Sequence, residues 1–253
     1  MYNYLIGKGE FILSSFDFYK IFMFFIIYSA CGWVIEVVFH IFTENKFINR
    51  GFLNGPICPI YGFGAISILL FLEPLKQNNI YLFIGGFIVA SLLELVTGYI
   101  LEKVFDTKWW DYSDEKFNIG GYISLKFSLA WGLVSVILVK FIHPYIQSFV
   151  NLIPQYIMPP LYNLLLIVLV VDTTLTVSSL IHLRIFIKDL VAIRKTLNSR
   201  LEEKIDVREQ VLRDRIELIY ERLEKRHRKL LKYYPHITYG RLSEILDEIR
   251  ERQ

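Results

Sequence analysis

Five apolar runs constrain this chain more than anything else in it: about 18–42, 57–75, 80–104, 123–142 and 161–187. A helix needs roughly 20 apolar residues to cross a bilayer core, so each run is a candidate span. Lipid offers no hydrogen-bond partners, and an isolated run of this kind satisfies its own backbone only as a helix. Composition agrees, with 54% hydrophobic residues and a mean hydropathy of +0.40. These features predict an all-α polytopic membrane protein of about five transmembrane helices rather than one or two soluble domains.

Charge marks the domain boundary. Residues 188–253 hold 17 of the 28 Lys and Arg and 13 of the 25 Asp and Glu. A transmembrane domain over 1–187 is therefore followed by a charged tail over 188–253. The net charge of +3 and the interleaved signs of the tail fit a solvated helix, not a nucleic-acid arm. Cys31 and Cys58 stand at no metal-ligand spacing and indicate no disulfide framework. The N-terminus shows no small-residue cleavage site after a short apolar core, so no removable signal peptide is expected.

Between the first two runs lies NRGFLNGPICPIYG, residues 49–62. Pro56 and Pro59 lack an N–H and push the residues before them toward extended geometry, so a regular helix is not expected over 54–59. Gly51, Gly55 and Gly62 add further freedom, yet Phe52, Leu53, Ile57, Ile60 and Tyr61 make the segment apolar. Irregular backbone at bilayer depth survives only when packed in protein or lining a wet cavity. The expectation is a compact packed turn or partly re-entrant segment.

An internal repeat runs across the spans. Lys46-Phe47, Gly51-Phe52-Leu53 and Tyr61-Gly62 recur 70 residues on as Lys116-Phe117, Gly121-Tyr122-Ile123 and Trp131-Gly132. Glu36 and Glu94, one per copy, are 58 apart, so the second copy holds 12 more residues near 106–114. Two duplicated hairpins of one orientation are the reading, an arrangement seen in transporters. Chance is the alternative, since aromatic residues and glycine are both common in membrane helices.

Five crossings place the chain ends on opposite sides. Lys46, Arg50, Lys103, Lys108 and Lys116 then share a side with the tail, against Lys8, Lys20, Lys76 and Lys140 opposite. The positive-inside bias predicts a cytoplasmic tail and an external N-terminus. Within the tail, apolar residues at three- and four-residue steps from Leu190 to Leu230 predict one long helix ended near Pro235, with a short amphipathic helix over 242–249. That stripe fits packing on its own protein and a coiled coil with a second copy or partner equally well.

The polar residues inside the spans are the functional candidates. A carboxylate at bilayer depth costs roughly 2.5–3.5 kcal/mol, so Glu36 and Glu94 need a partner or a wet cavity. Arg50, beside Asn49, is the candidate partner of Glu36, and a polar pocket of Glu36, Glu94 and Arg50 is one reading. The other is a pair of structural caps on backbone N–H groups freed by the broken segments. Asp172 either lines a pathway or bonds the hydroxyls of Thr173 and Thr174. His40 lies one turn after Glu36, but no third ligand follows, so no metal is expected. Trp109, Trp110 and Tyr112 predict an anchor at the membrane surface, with a stacking platform as the lesser reading. There is no phosphate-binding G-x-x-x-x-G-K-[ST], no H-E-x-x-H and no G-x-S-x-G, so neither an enzyme nor a bound cofactor is expected.

The assembled residues resemble a family of bacterial integral membrane proteins, the CmpB-like ABC-transporter type IV permeases. Its marks are Trp33-x-x-Glu36, Asn49 through Leu53, Gly55-Pro56, Pro59 through Gly62, Trp110-Asp111-Tyr112, Gly121, Trp131-Gly132, His143-Pro144 and Tyr234-Pro235-His236. The likeness covers about residues 20–240. It implies a multi-pass protein of the bacterial cell membrane, a permease role and an ATPase on another chain. Lys126 departs from the pattern by placing a charge where an apolar span begins. The competing readings are a membrane scaffold whose tail binds a cytosolic partner, and an enzyme acting on lipid.

Overall fold

The computed structural model describes residues 15–44, 51–106 and 108–201, with side chains over 18–42, 51–106 and 108–185. The architecture is all-α apart from one minimal ribbon. Helix α1 (Ser15–Glu44) is followed by α2 (Pro59–Leu72), which tightens into a 3-10 turn at Glu73–Leu75. Then come α3 (Asn79–Phe105), strands β1 (Asn118–Ile119) and β2 (Ile123–Ser124), and α4 (Leu125–Ile137). A π turn over Leu138–Ile142 joins α4 to α5 (His143–Asn151), and α6 runs from Met158 to Leu201.

Four helical stretches are long and apolar enough to cross a membrane: Phe18–Phe42, Asn79–Phe105, Leu125–Asn151 and Met158–Ile185. The remaining apolar helix, Pro59–Leu75, is shorter. The fourth expected span, 123–142, is extended. His143-Pro144 does not close it, and helix continues to Asn151. Proline is tolerated in the first turn of a helical segment, where its missing N–H is no loss. The preceding π turn provides the irregular geometry where the two segments meet. Residues 152–157 connect α5 to α6, and Pro159 and Pro160 enter the first turn of α6. The tail begins without a break, as α6 continues through Lys188 to Leu201. The rest of the expected tail helix, the Pro235 stop and the 242–249 helix lie outside the described residues.

The chain divides into two compact units. The first comprises the described residues of Met1–Ile100 and Trp110–Thr173. Its core joins Met23, Phe24 and Tyr28 of α1, Ala65, Ile68, Leu69 and Leu72 of α2, and Leu138 and Val139 of the π turn. Tyr162 packs edge-on against Phe18, Tyr19 and Phe22. The second unit comprises the described residues of Leu101–Trp109 and Thr174–Gln253. There Phe105, Thr176, Leu180 and Leu183 are buried, and Arg184 donates through Nη1 to the Val104 carbonyl at 2.7 Å. Exposed residues such as Ile35, Phe71, Leu92, Leu133 and Val168 give the helices the apolar outer surface that lipid requires.

Two helices begin halfway along their neighbours. The Cys58 N–H donates to the Ser29 carbonyl at 2.9 Å, near the midpoint of α1, and α2 starts at the next residue. Similarly, Ser91 near the midpoint of α3 hydrogen-bonds Ser128 in the first turn of α4 at 2.7 Å. Both approaches rely on glycine. A Cβ on Gly62 would stand 2.7 Å from the Phe25 carbonyl oxygen, and one on Gly132 would stand 2.9 Å from that of Phe83. No side chain fits at such separations.

Candidate functional site

The irregular segment 51–58 is where backbone partners run short. Pro56 and Pro59 interrupt it, and α2 takes Pro59 in its first turn. Two of its amides are satisfied from α6. Asp172 accepts from the Asn54 N–H at 3.1 Å, from the Asn54 side-chain amide at 2.9 Å and from the Gly55 N–H at 2.8 Å. Both carboxylate oxygens are used. Asp172 is 14 residues into the apolar stretch Met158–Ile185, which at 1.5 Å per residue is about 21 Å from its start. The segment is thus held beside the middle of that apolar stretch. Asp172 thus bonds the backbone of a segment distant in sequence.

Glu36 faces the same region from α1. The Tyr61 hydroxyl donates to Glu36 Oε1 at 2.6 Å. Tyr61 gets there because Gly32 has no Cβ, which would otherwise overlap the tyrosine ring. The Tyr61 ring meets Trp131 of α4 edge-on, with centroids 6.1 Å apart. Trp131 turns its indole N–H toward Glu94 without closing a hydrogen bond. Glu94 is 7% exposed and accepts from the Tyr112 hydroxyl at 3.1 Å. Two aromatic residues, Tyr61 and Trp131, therefore lie in line between the two glutamates, with Tyr112 bonded to Glu94 beyond them. Asn49 and Arg50 lie outside the described residues, so the expected Glu36–Arg50 pair is neither found nor replaced.

The segment after α3 builds the second half of this cluster. Asp106 takes a positive φ of 61° as α3 ends, and Gly120 and Gly121 turn the ribbon at φ 60° and 74°. The Tyr112 N–H donates to the Gly121 carbonyl at 2.8 Å, and the Trp110 indole donates to the Tyr122 carbonyl at 2.8 Å. Trp110 and Tyr122 both close on Gly98 of α3. Tyr112 stacks on Phe127, with centroids 4.4 Å apart. Trp110 and Tyr112 are therefore packed, half-buried, into the first unit. Burial, and then the neighbouring Glu94 carboxyl, hold the Tyr112 hydroxyl well above the usual tyrosine range.

Other marked residues have plainer roles. His40 is buried, and its Nδ1 lies 2.9 Å from the Glu36 carbonyl oxygen, an intrahelical contact. No group of potential metal ligands occurs among the described residues. Trp33 is half-buried on α1, Gly51 is buried, and Pro56 is exposed. Sequence reasoning missed Tyr112 as the partner of Glu94 and Asn54 as the partner of Asp172. It listed Tyr61 and Trp131 as motif residues only. Their shared offset of 70, beside glutamates 58 apart, was the available signal.

Comparison with known proteins follows this geometry. A family model described as "Putative ABC-transporter type IV" matches residues 23–177. The chain belongs to that family. The match spans α1 through most of the apolar stretch of α6, and so takes in Glu36, Tyr61, Glu94, Tyr112, Trp131 and Asp172. No curated protein and no solved structure matches the chain. Family membership and the four long apolar helices make it a multi-pass membrane protein.

Proposed function

We propose that this chain is the permease subunit of a transport system, with its ATPase on another chain and its pathway beside the Glu36–Tyr61–Trp131–Glu94–Tyr112 cluster. The observation that carries this reading is a repeated geometry. Gly62 rests on the Phe25 carbonyl and Gly132 on that of Phe83, while Glu36 meets Tyr61 and Glu94 faces Trp131. Along the chain the partners shift by 58 and 70 residues in both sets. This supports two duplicated hairpins, each with a long helix, an irregular segment and a helix that starts halfway back. Transporters place polar sites at such repeat interfaces, where broken helices begin.

In this reading Arg50 and Asn49 complete the pocket, and Asp172 holds the re-entrant segment that forms its wall. The N-terminus is external and the tail cytoplasmic. The segments Asn49–Gly55 and Trp109–Asn118 present the docking surface for the ATPase, with the tail assisting. The protein itself performs no covalent chemistry and needs no cofactor.

The test is purification in detergent of the wild type, Glu36→Gln and a truncation after Lys188, with identification of co-purifying chains. An ATPase retained by Glu36→Gln, with substrate flux lost in that variant, supports the permease. A non-ATPase partner lost only on truncation supports instead a scaffold. That second reading is favoured by the unbroken run of α6 beyond Ile185 to Leu201. Turnover of a lipid with no ATPase present would replace both by an enzyme.

A further inference from the structure

The two glutamates are equivalent in sequence and unequal in surroundings. Glu36 is half-buried and takes a short bond from Tyr61. Glu94 is 7% exposed, accepts one hydrogen bond through Oε1 from Tyr112, and leaves Oε2 buried without a hydrogen bond. Its neighbours are neutral donors: the Tyr112 hydroxyl from the segment after α3 and the Trp131 indole from α4. Glu36 of α1 and Tyr61 of α2 lie one step further, interacting electrostatically with Tyr112. Among the described residues no cationic side chain is paired with Glu94. Ser91, one turn before Glu94 on α3, spends its hydroxyl on Ser128.

A buried carboxylate is tolerated when a cation or several donors compensate its charge. Glu94 has a single closed hydrogen bond for that purpose. A neutral carboxylic acid suits the site better. Oε1 then acts as the carbonyl that accepts from Tyr112, and Oε2 carries the hydrogen.

We propose that Glu94 is a proton-binding site, held as the neutral acid in the resting protein and able to release its proton to water. In that step the Oε2–H bond breaks, the proton passes to a water molecule, and the electron pair stays on the carboxylate. Tyr112 keeps its own proton and its bond to Oε1 throughout. The inference stands apart from the permease reading, because it concerns one carboxyl whatever the protein transports or binds.

The experiment is infrared absorption of the full-length protein in lipid nanodiscs, in H₂O and D₂O, over a pH series. At neutral pH a carboxylic-acid carbonyl band is expected that shifts down on deuteration and is absent in Glu94→Gln. Tyr112→Phe should move the band to higher frequency, since the carbonyl loses its donor, and Glu36→Gln should leave it in place. With rising pH the band should fall as a carboxylate band grows. The proposal is overturned if no acid band depends on Glu94 at neutral pH, or if Glu36→Gln removes the band and Glu94→Gln spares it. Should Glu94→Gln fail to fold, Glu94→Asp and Tyr112→Phe decide: a shifted band supports the assignment, and an unmoved one in both overturns it.

Discussion

Asp172 reaches across 118 positions of sequence to take the backbone N–H of Asn54 at 3.1 Å, and the same carboxylate holds Gly55. A single acidic side chain in α6 thus replaces the helical partners that the prolines of 54–59 deny their neighbours. The clamp fixes where α2 begins, and α2 carries Tyr61 to Glu36.

Removing the clamp should loosen the segment. Asp172→Ala takes the carboxylate acceptor from two backbone amides, one exposed and one part-buried, and a net loss of about 1 kcal/mol for each bond is expected. The melting temperature in detergent should fall. Cys58, buried directly after the segment, should become reactive to a maleimide, while Cys31 is exposed from the start. Unchanged Cys58 labelling in Asp172→Ala would contradict the clamp.

Tyr61→Phe removes only the hydroxyl that bonds Glu36. Hydrogen bonds to charged groups contribute about 1.5–3 kcal/mol, so a stability loss in that range is expected. Combined with Glu36→Gln, the double variant should lose less than the sum of the singles, because the two residues share one interaction. Additive losses in thermal unfolding would show that they act independently.

Three glycine variants separate packing from propensity. Gly62→Ala and Gly132→Ala drive a methyl into the Phe25 and Phe83 carbonyls and should each destabilise by about 1–3 kcal/mol. Gly64, in the same helix as Gly62, has nothing within 4 Å of a built Cβ. Gly64→Ala should therefore be neutral or stabilising, by up to about 1 kcal/mol. Equal effects at all three sites in denaturation assays would refute the close helix approach.

Tyr112 should ionise late. Burial disfavours the phenolate, and donating to Glu94 also favours the protonated hydroxyl. An alkaline ultraviolet titration should show tyrosinate forming above the ordinary tyrosine range. Tyr112→Phe should delete one late-titrating group from that curve. A curve identical to the wild type would place the Tyr112 hydroxyl in water.

Trp110 pins the ribbon by its indole N–H and by its ring against Gly98. Trp110→Phe keeps an aromatic ring and loses the bond to the Tyr122 carbonyl. A loss of about 1 kcal/mol is expected, the usual net value of such a bond. Faster hydrogen exchange over 118–124 than in the wild type is the measurement that checks it.

Sequence alone determined the helices, the break at 54–59 and the isolation of Glu36 and Glu94 within apolar runs. These follow from local causes. Apolar length dictates helix in lipid, proline removes a donor, and a carboxylate among apolar neighbours needs a partner wherever the chain goes. The pairing of those groups was decided by tertiary structure. Pro144 does not end its helix, because a π turn precedes it and proline is tolerated in a first turn. Asp172 bonds Asn54 from another helix, and Trp110 and Tyr122 close on Gly98 of α3. Each outcome depends on which helix lies beside which, at what height, and whether a glycine lets them close. Residue order does not encode that height directly. It emerges when Gly32, Gly62, Gly98 and Gly132 let backbones and rings approach, and the polar groups then bond whatever stands nearest.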